Sequence, residues 1–504
     1  MVTRLQVSGF KNLVDVDVRF GPFTCIAGGN GVGKSNLFDA IVFLSRLASS
    51  TLLEAASFVR DPDGTSREIR SLFTRAGDTY AEEMQFGVEM VVAPEATDDL
   101  GQRAKATHTI LRYDLVLGYE EGDQVTRPDR LVVRQERLNY IKIGEARQTL
   151  PFLLHPRSSG RMTGWQASTA WRKSAVQGGR RSPYISMKQG ENGHPVVQRH
   201  QEGNAGSPQL FDALHLPRTV LSTSNAVEGP TALIARREME SWSLLHFEPT
   251  ALRRPDDFFA TPGISTDGGH VPVTLFSLAN QSPDGPESVY ASVANRLSHL
   301  IDDVRTVSVE RDPKREILTL LVEDRNHTHH TARALSDGTL RFLALSVLQE
   351  DPDASGVWCL EEPENGLYPA RVPAMIELLR DIAMDTGEGV GPDNPLRQVI
   401  INTHSPGVVQ EVPESSLVAA VPVEATLNGE PVRTIEFKAL SDTWRTHGAQ
   451  PEATAISKAF LIDYLNLPSG VDGASGDGAV AETHEARVMD RPELRQLRLF
   501  PDAG

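Results

Sequence analysis

Residues Gly28-Gly29-Asn30-Gly31-Val32-Gly33-Lys34-Ser35 follow the spacing G-x-x-x-x-G-K-S. Glycines at these intervals let the backbone curl until successive N–H groups point inward, which is what a chain of phosphate oxygens needs. Lys34 has the reach and charge to meet the β- and γ-phosphates, and the Ser35 hydroxyl can ligate Mg²⁺. An apolar run, Phe23 to Ala27, precedes the motif, and from Asn36 a helical pattern follows with Leu37, Ile41, Val42, Leu44 and Leu47 on one face. The helix N-terminus then offers partial positive charge to the triphosphate. The chemistry read here is binding of ATP with Mg²⁺ by Gly28, Asn30, Gly31, Val32, Gly33, Lys34, Ser35 and Asn36.

Three further segments could complete that chemistry. Leu335-Ser336-Asp337-Gly338-Thr339 stands just before a helical run. Its Ser336 and Gly338 make it a second anion-binding turn, although alone such a turn is an ordinary helix cap. Val357-Trp358-Cys359-Leu360-Glu361-Glu362 is an apolar run ending in two carboxylates. Glu361 is assigned to the Mg²⁺ shell and Glu362 to the attacking water, as the base that orients and deprotonates it. Val399 to Thr403 is a third apolar run and ends at His404, a residue able to hydrogen-bond the γ-phosphate and sense its loss. Each segment is weak by itself; their fixed order after the phosphate loop makes coincidence implausible.

The elements that must position these residues read as an α/β protein. Thr3 to Val7 and Val14 to Phe20 alternate as strands, and Met84 to Val92, Thr107 to Leu117 and Arg130 to Tyr140 are further strand-like runs. Helices are expected around Thr231 to His246 and Glu287 to Val304, strands at Thr306 to Val309 and Glu316 to Val322. From Ala332 to about Gln410 helix and strand alternate as in a parallel sheet with crossovers. Four regions are expected: an ATPase lobe over 1–150, an insertion and helical region over 151–270, a second ATPase lobe over 271–440, and a C-terminal helix with a flexible tail over 441–504. Within the second, residues 151–215 read as a long insertion with little regular structure. The tail holds a Gly/Ser/Asp-rich linker at 469–478 and an apolar, basic motif at 491–500.

Composition narrows the function classes. The net charge of −17 over 504 residues argues against a general nucleic-acid coat. Between Pro151 and Ala205, however, eight Lys/Arg (Arg157, Arg161, Arg172, Lys173, Arg180, Arg181, Lys188 and Arg199) face only two acids, with Trp165 and Trp171 among them. That stretch is a possible DNA contact by charge and base stacking, or else a solvated or partner-binding loop. No apolar run reaches the roughly 18 residues that cross a membrane, no signal-peptide pattern opens the chain, and Cys25 and Cys359 lie in apolar runs, so a cytoplasmic protein with buried thiols is expected.

The four segments together resemble the ABC-type ATPase heads of the SMC, RecF and OLD group. The opening Leu5-Gln-Val-Ser-Gly-Phe-Lys-Asn-Leu-Val and the phosphate loop are similar to that group's first strands and Walker A. Leu335-Ser-Asp-Gly-Thr-Leu-Arg resembles its signature, Leu360-Glu-Glu-Pro-Glu-Asn its Walker B and D-loop, and Thr403-His-Ser-Pro its switch. The likeness spans roughly 1–140 and 270–440. Departures are Glu361 where Asp is usual, Tyr368 where many relatives have His, and a Q-loop glutamine for which Gln85 is the guess. No coiled-coil arm separates the halves, and no nuclease pattern of the OLD type follows His404. The resemblance implies an ABC-ATPase head with a P-loop parallel sheet, an antiparallel β subdomain and a helical insertion. It also implies ATP hydrolysis, and a homodimer or higher even-numbered oligomer in which each signature closes on the other subunit's ATP. By analogy it suggests the sensor or scaffold ATPase of a bacterial antiphage defence system, acting with a separate effector such as a nuclease or toxin. The alternatives are a RecF-like DNA repair ATPase and a non-hydrolysing, ATP-dependent assembly platform.

Replacing Lys34 with Ala removes the charge on the β/γ-phosphates and should weaken ATP binding about a hundredfold or more. A nucleotide titration checks this; unchanged affinity would remove the phosphate-loop assignment.

Overall fold

The structure is a computed structural model that describes residues 1–59, 69–122, 129–145, 150–156, 162–165, 169–178, 182–190, 193–202, 207–441, 443–446, 455–456, 461, 464–465 and 487–491. Alternation is honoured at the start. β1 (Val2–Ser8) and β2 (Val16–Arg19) pair antiparallel, each burying every second residue. β3 (Phe23–Ala27) is buried at every position, as a strand covered on both faces must be. It feeds α1 (Lys34–Ser49), whose Leu37, Ile41, Leu44 and Leu47 are buried together with Phe38 and Phe43, while Val42 is half-buried.

An antiparallel sheet follows from β4 (Glu83–Val91), β5 (Ile110–Glu120), β6 (Arg130–Tyr140), β7 (Ile185–Gln189), β8 (Pro195–Arg199) and β9 (Gln209–Asp212). With the first two strands its order is β9-β8-β7-β6-β5-β4-β1-β2. The last three strands lie in the stretch expected to have little regular structure. They are short and rich in Gln, Lys and Arg, so their sequence carries little alternation; pairing in register with β6 and with one another makes them strands.

The second sheet holds the phosphate loop. After α2 (Pro230–Glu240) come β10 (Ser243–Leu245) and the short α3 (Pro249–Leu252). Further on stand α4 (Asp337–Glu350), β11 (Gly356–Glu361), β12 (Arg397–Thr403), β13 (Leu417–Leu427) and β14 (Glu430–Ala439). The order is β10-β11-β12-β3-β13-β14, parallel apart from the final hairpin. The helix expected over Thr231 to His246 therefore stops at Glu240, because Ser243 to Leu245 pair with Trp358 to Leu360 at the sheet edge. The helix expected to reach Val304 runs over Pro286–Leu300, and Val304 opens a strand of a smaller antiparallel sheet with Ile317–Asp324. The whole is an α/β fold in which a largely parallel sheet carries the phosphate loop beside an antiparallel sheet, with extra β and helical parts.

Near the C-terminus Ile456, Leu461 and Leu465 are buried in the core around β12 and α4. The Gly/Ser/Asp-rich linker at 469–478 and residues 492–500 lie outside the described residues. Cys25 and Cys359 are both buried and free. Among the described residues no helix is long and apolar enough to cross a membrane.

One side chain joins the two sheets. Gln398 of β12 is fully buried, accepts from the Val2 amide at 2.9 Å, and donates to the carbonyls of Val2 at 2.7 Å and Gly21 at 2.8 Å. Gln398→Ala strands three buried backbone groups and should cost about 2–4 kcal/mol of stability. Denaturant unfolding measures it, and a loss below about 0.5 kcal/mol would show that the tether is dispensable.

Candidate nucleotide site

Three parallel strands set the site by ending side by side. Glu361 pairs with Asn402, and Thr403 with Ala27, so the C-terminal ends of β11, β12 and β3 form one row. Ligands of open α/β sheets bind at such carboxyl ends. The phosphate loop leaves this row at Gly28, whose amide donates to the Thr403 carbonyl at 3.2 Å. At the other end Gly33 caps α1 with φ of 109°, in the left-handed region. A β-carbon at Gly33 would lie 2.3 Å from the Asn12 side chain, so only glycine fits. Asn12 clamps the loop from below, donating to the Val32 carbonyl at 3.1 Å and accepting from Asn36 at 2.7 Å.

α1 has no side-chain cap and no acid in its first turn, which leaves its first amides for an anion. The Lys34 ammonium lies on the loop itself, donating to the carbonyls of Gly28 at 2.7 Å and Gly29 at 2.8 Å. Burial lowers its pKa, opposed by the charges of Glu362, Glu361 and Glu364. A cavity of about 570 Å³ opens beside it, within the range of small-molecule sites. Asn30, Gly31, Gly33, Lys34, Ser35, Asn36, Glu361 and Glu362 all line it. Gly28 and Val32 stand behind it, offering backbone carbonyls to Lys34 and Asn12.

The three carboxylates near the loop differ in setting. Glu361 accepts from Asn402 at 3.3 Å. Glu362 sits at φ of 46°, a strained conformation costing roughly 1–2 kcal/mol. Its amide is held by the Asn402 carbonyl at 3.0 Å. Its two oxygens meet His404 Nδ1 at 2.5 Å and the Asn365 amide at 2.7 Å. Partial burial pushes its pKa up, but the hydrogen bonds from Asn365 and His404 outweigh burial and the net shift is down. Glu364 is buried, accepts from the Thr403 hydroxyl, and has one oxygen without a hydrogen-bond partner. Burial raises its pKa.

The donor set suits Mg²⁺. Among the described residues no three His, Cys, Asp or Glu cluster to hold a metal ion. Mg²⁺ needs no such cage, because one or two protein oxygens suffice when water and phosphates supply the rest. Ser35 and Glu361, on the same cavity, are oxygen donors of that kind.

The signature residues stand apart. Ser336 caps α4, accepting from the Thr339 amide at 3.2 Å, and neither it nor Gly338 lines the cavity. A β-carbon at Gly338 would lie 2.7 Å from the Gly366 carbonyl, so the turn is pressed against the segment after Glu362. Gln85 is not at the site; it lines a separate cavity of about 400 Å³ on the antiparallel sheet. Tyr368 is exposed. Of the basic stretch, Lys173 and Lys188 are exposed, but Arg199 is buried and bound to Glu228, and Trp171 is fully buried and cannot stack on a base. Arg180 and Arg181 lie outside the described residues, as do the side chains of Arg157, Arg161 and Trp165.

Residues missed by sequence reasoning include Asn12, His246, Arg341, Asn365 and Asn402. Asn12, Arg341 and Asn365 sit inside the quoted motifs and Asn402 inside the third apolar run, and only their contacts single them out. His246 follows β10 and lines the cavity.

A family model described as "AAA domain, putative AbiEii toxin, Type IV TA system" matches residues 23–128 and 209–410. The chain belongs to this family. It is an ATP-binding AAA/ABC-type ATPase domain. Short stretches are similar to curated proteins. RecF of Porphyromonas gingivalis is 44% identical over 46 residues, 9% of this chain and 13% of RecF. RecF of Paenarthrobacter aurescens is 34% identical over 83 residues, 16% and 20% of the two chains. The OLD nuclease of Thermus scotoductus is 49% identical over 41 residues, 8% of each. The matches thus span at most a fifth of these relatives' own length. Similar solved structures include the SmcHead bound to the C-winged helix domain of ScpA, with TM-score 0.43, 12% identity, and coverage of 87% of this AAA domain chain and 98% of that one. The SMC head domain from Thermotoga maritima gives 0.34 and 10%, covering 86% and 98%.

Proposed function

We propose that two copies of this chain close around two ATP molecules and hydrolyse them, and that the pair serves as the sensor or scaffold ATPase of a bacterial antiphage system with a separate effector. The observation that carries the enzymatic part is the row of strand ends that brings Lys34, Ser35, Glu361 and Glu362 to one cavity. Mg²⁺-ATP, when bound, supplies the electrophilic γ-phosphorus and the metal that offsets developing charge. The chain's residues then divide the remaining tasks. Lys34 moves its ammonium from the carbonyls of Gly28 and Gly29 to the phosphates, and the loop amides with Gly31, Gly33 and Asn36 hold their oxygens. Ser35 and Glu361 hold the metal. Glu362, ionised at neutral pH, orients water and accepts its proton. His404, already on Glu362, links that carboxylate to the end of β12 and responds when the γ-phosphate leaves.

The defence setting is supported by the family description, which names a toxin and a TA system. A RecF-like DNA role draws on the basic stretch, and the burial of Trp171 and Arg199 weakens it.

Glu362→Gln should keep ATP affinity within about threefold and lower turnover by roughly 10²–10³-fold, since an amide cannot take the proton. Normal turnover would move the base to another residue, Glu361 first. Ser336→Arg, made in the Glu362→Gln background, should leave ATP binding intact and abolish the ATP-dependent rise in solution mass, because an arginine at this exposed position fills the space the phosphate of the other copy must enter. Normal closure would discard the arrangement in which each signature faces the other copy's ATP. Crosslinking across the heads guards against a dimer held elsewhere.

A further inference from the structure

The signature turn carries a contradiction in charge. Its serine and the first amides of α4 are to face a phosphate, yet Asp337 occupies the first turn of that helix. A carboxylate there stabilises the helix itself but repels an incoming anion. The structure answers with Arg253, the residue that ends α3. Arg253 Nη2 meets Asp337 Oδ1 at 2.5 Å and the Leu335 carbonyl at 3.0 Å, while its Nη1 donates to Pro249 at 3.1 Å. The guanidinium thus both neutralises Asp337 and grips the backbone of the turn.

The grip comes from a segment that also touches the nucleotide cavity. Leu245, His246 and Phe247 line that cavity, and Arg253 lies seven residues beyond His246. Between them the segment is fixed: the amides of His246 and Glu248 donate to Thr266 and Asp267, each at 2.8 Å. On the other side of the turn, Asn365, which also lines the cavity, accepts from Arg341 of α4 at 3.0 Å. Two struts from the cavity wall therefore hold the signature turn.

We propose that Arg253 is a positioning residue of the ATPase, whose charge cancels Asp337 so that the signature turn can receive the phosphate of a second copy's ATP. This rests on the closure of two copies described above. Removing the guanidinium would leave an unpaired carboxylate facing the incoming triphosphate, and removing that carboxylate as well would lift the repulsion.

The experiment compares closure of the full chain in the Glu362→Gln background, read as solution mass against ATP concentration. Arg253→Gln, which keeps a donor for the Leu335 carbonyl, should raise the half-closing ATP concentration about tenfold. Arg253→Lys keeps the charge and should stay within about threefold of the parent. Arg253→Gln combined with Asp337→Asn should return to within about threefold as well. A merely bracing arginine gives a different pattern, because the double variant would then be no better than Arg253→Gln. Either that result, or Arg253→Gln closing like its parent, overturns the proposal. If the parent itself binds ATP without closing, it is the closure reading that fails, and the two failures are told apart.

Discussion

An anion-binding loop placed against carboxylates is the constraint on which the site depends. Glu361, Glu362 and Glu364 all lie close enough to Lys34 to raise its pKa against the effect of burial. A loop that attracts triphosphate cannot tolerate three uncompensated negative charges beside it. The structure treats each one differently. Glu362 is kept ionised by donors from Asn365 and His404, Glu364 is buried and pushed toward its neutral form, and Glu361 shares Asn402 with the neighbouring strand. The result is three carboxylates held in three different electrostatic settings within four consecutive residues.

The backbone makes this division possible. Glu362 accepts a left-handed conformation, and the cost is met by the bond from its amide to Asn402 and by the fixed register of β11 on β12. Those strands are buried at nearly every position, so their register cannot slip without stranding hydrogen bonds inside the core. Gln398 extends the same rigidity to the antiparallel sheet. Precision at the strand ends follows from burial several residues earlier.

A carboxylate is also compensated at the turn before α4, where Asp337 stands in the first turn of that helix. There the compensation is a salt bridge from α3, a helix of only four residues with no periodic signal of its own. Both regions show a carboxylate bonded to a partner distant in sequence. Arg253 and Asp337 are 84 residues apart, and Glu362 and His404 are 42 apart.

The sequence by itself located the phosphate loop, the carboxylate pair, the Ser-Asp-Gly turn before a helix, the histidine at a strand end, and the apolar strands that carry them. Each of these depends on local chemistry: glycines for curvature, a continuous apolar run for a strand covered on both faces, a serine for a cap. Only the tertiary structure decided the contacts that need a partner elsewhere. β7, β8 and β9 carry no clear alternation and become strands through pairing, while Ser243 to Leu245 leave the helix because β11 offers an edge. Trp171 looked available for stacking and is buried, since composition records what a segment contains and not which side of it meets the core. Asn12, Asn402 and Arg253 take their places for the same reason: a hydrogen bond or ion pair across tens of residues leaves no spacing in the chain, and its energy exists only once the fold has brought both ends together.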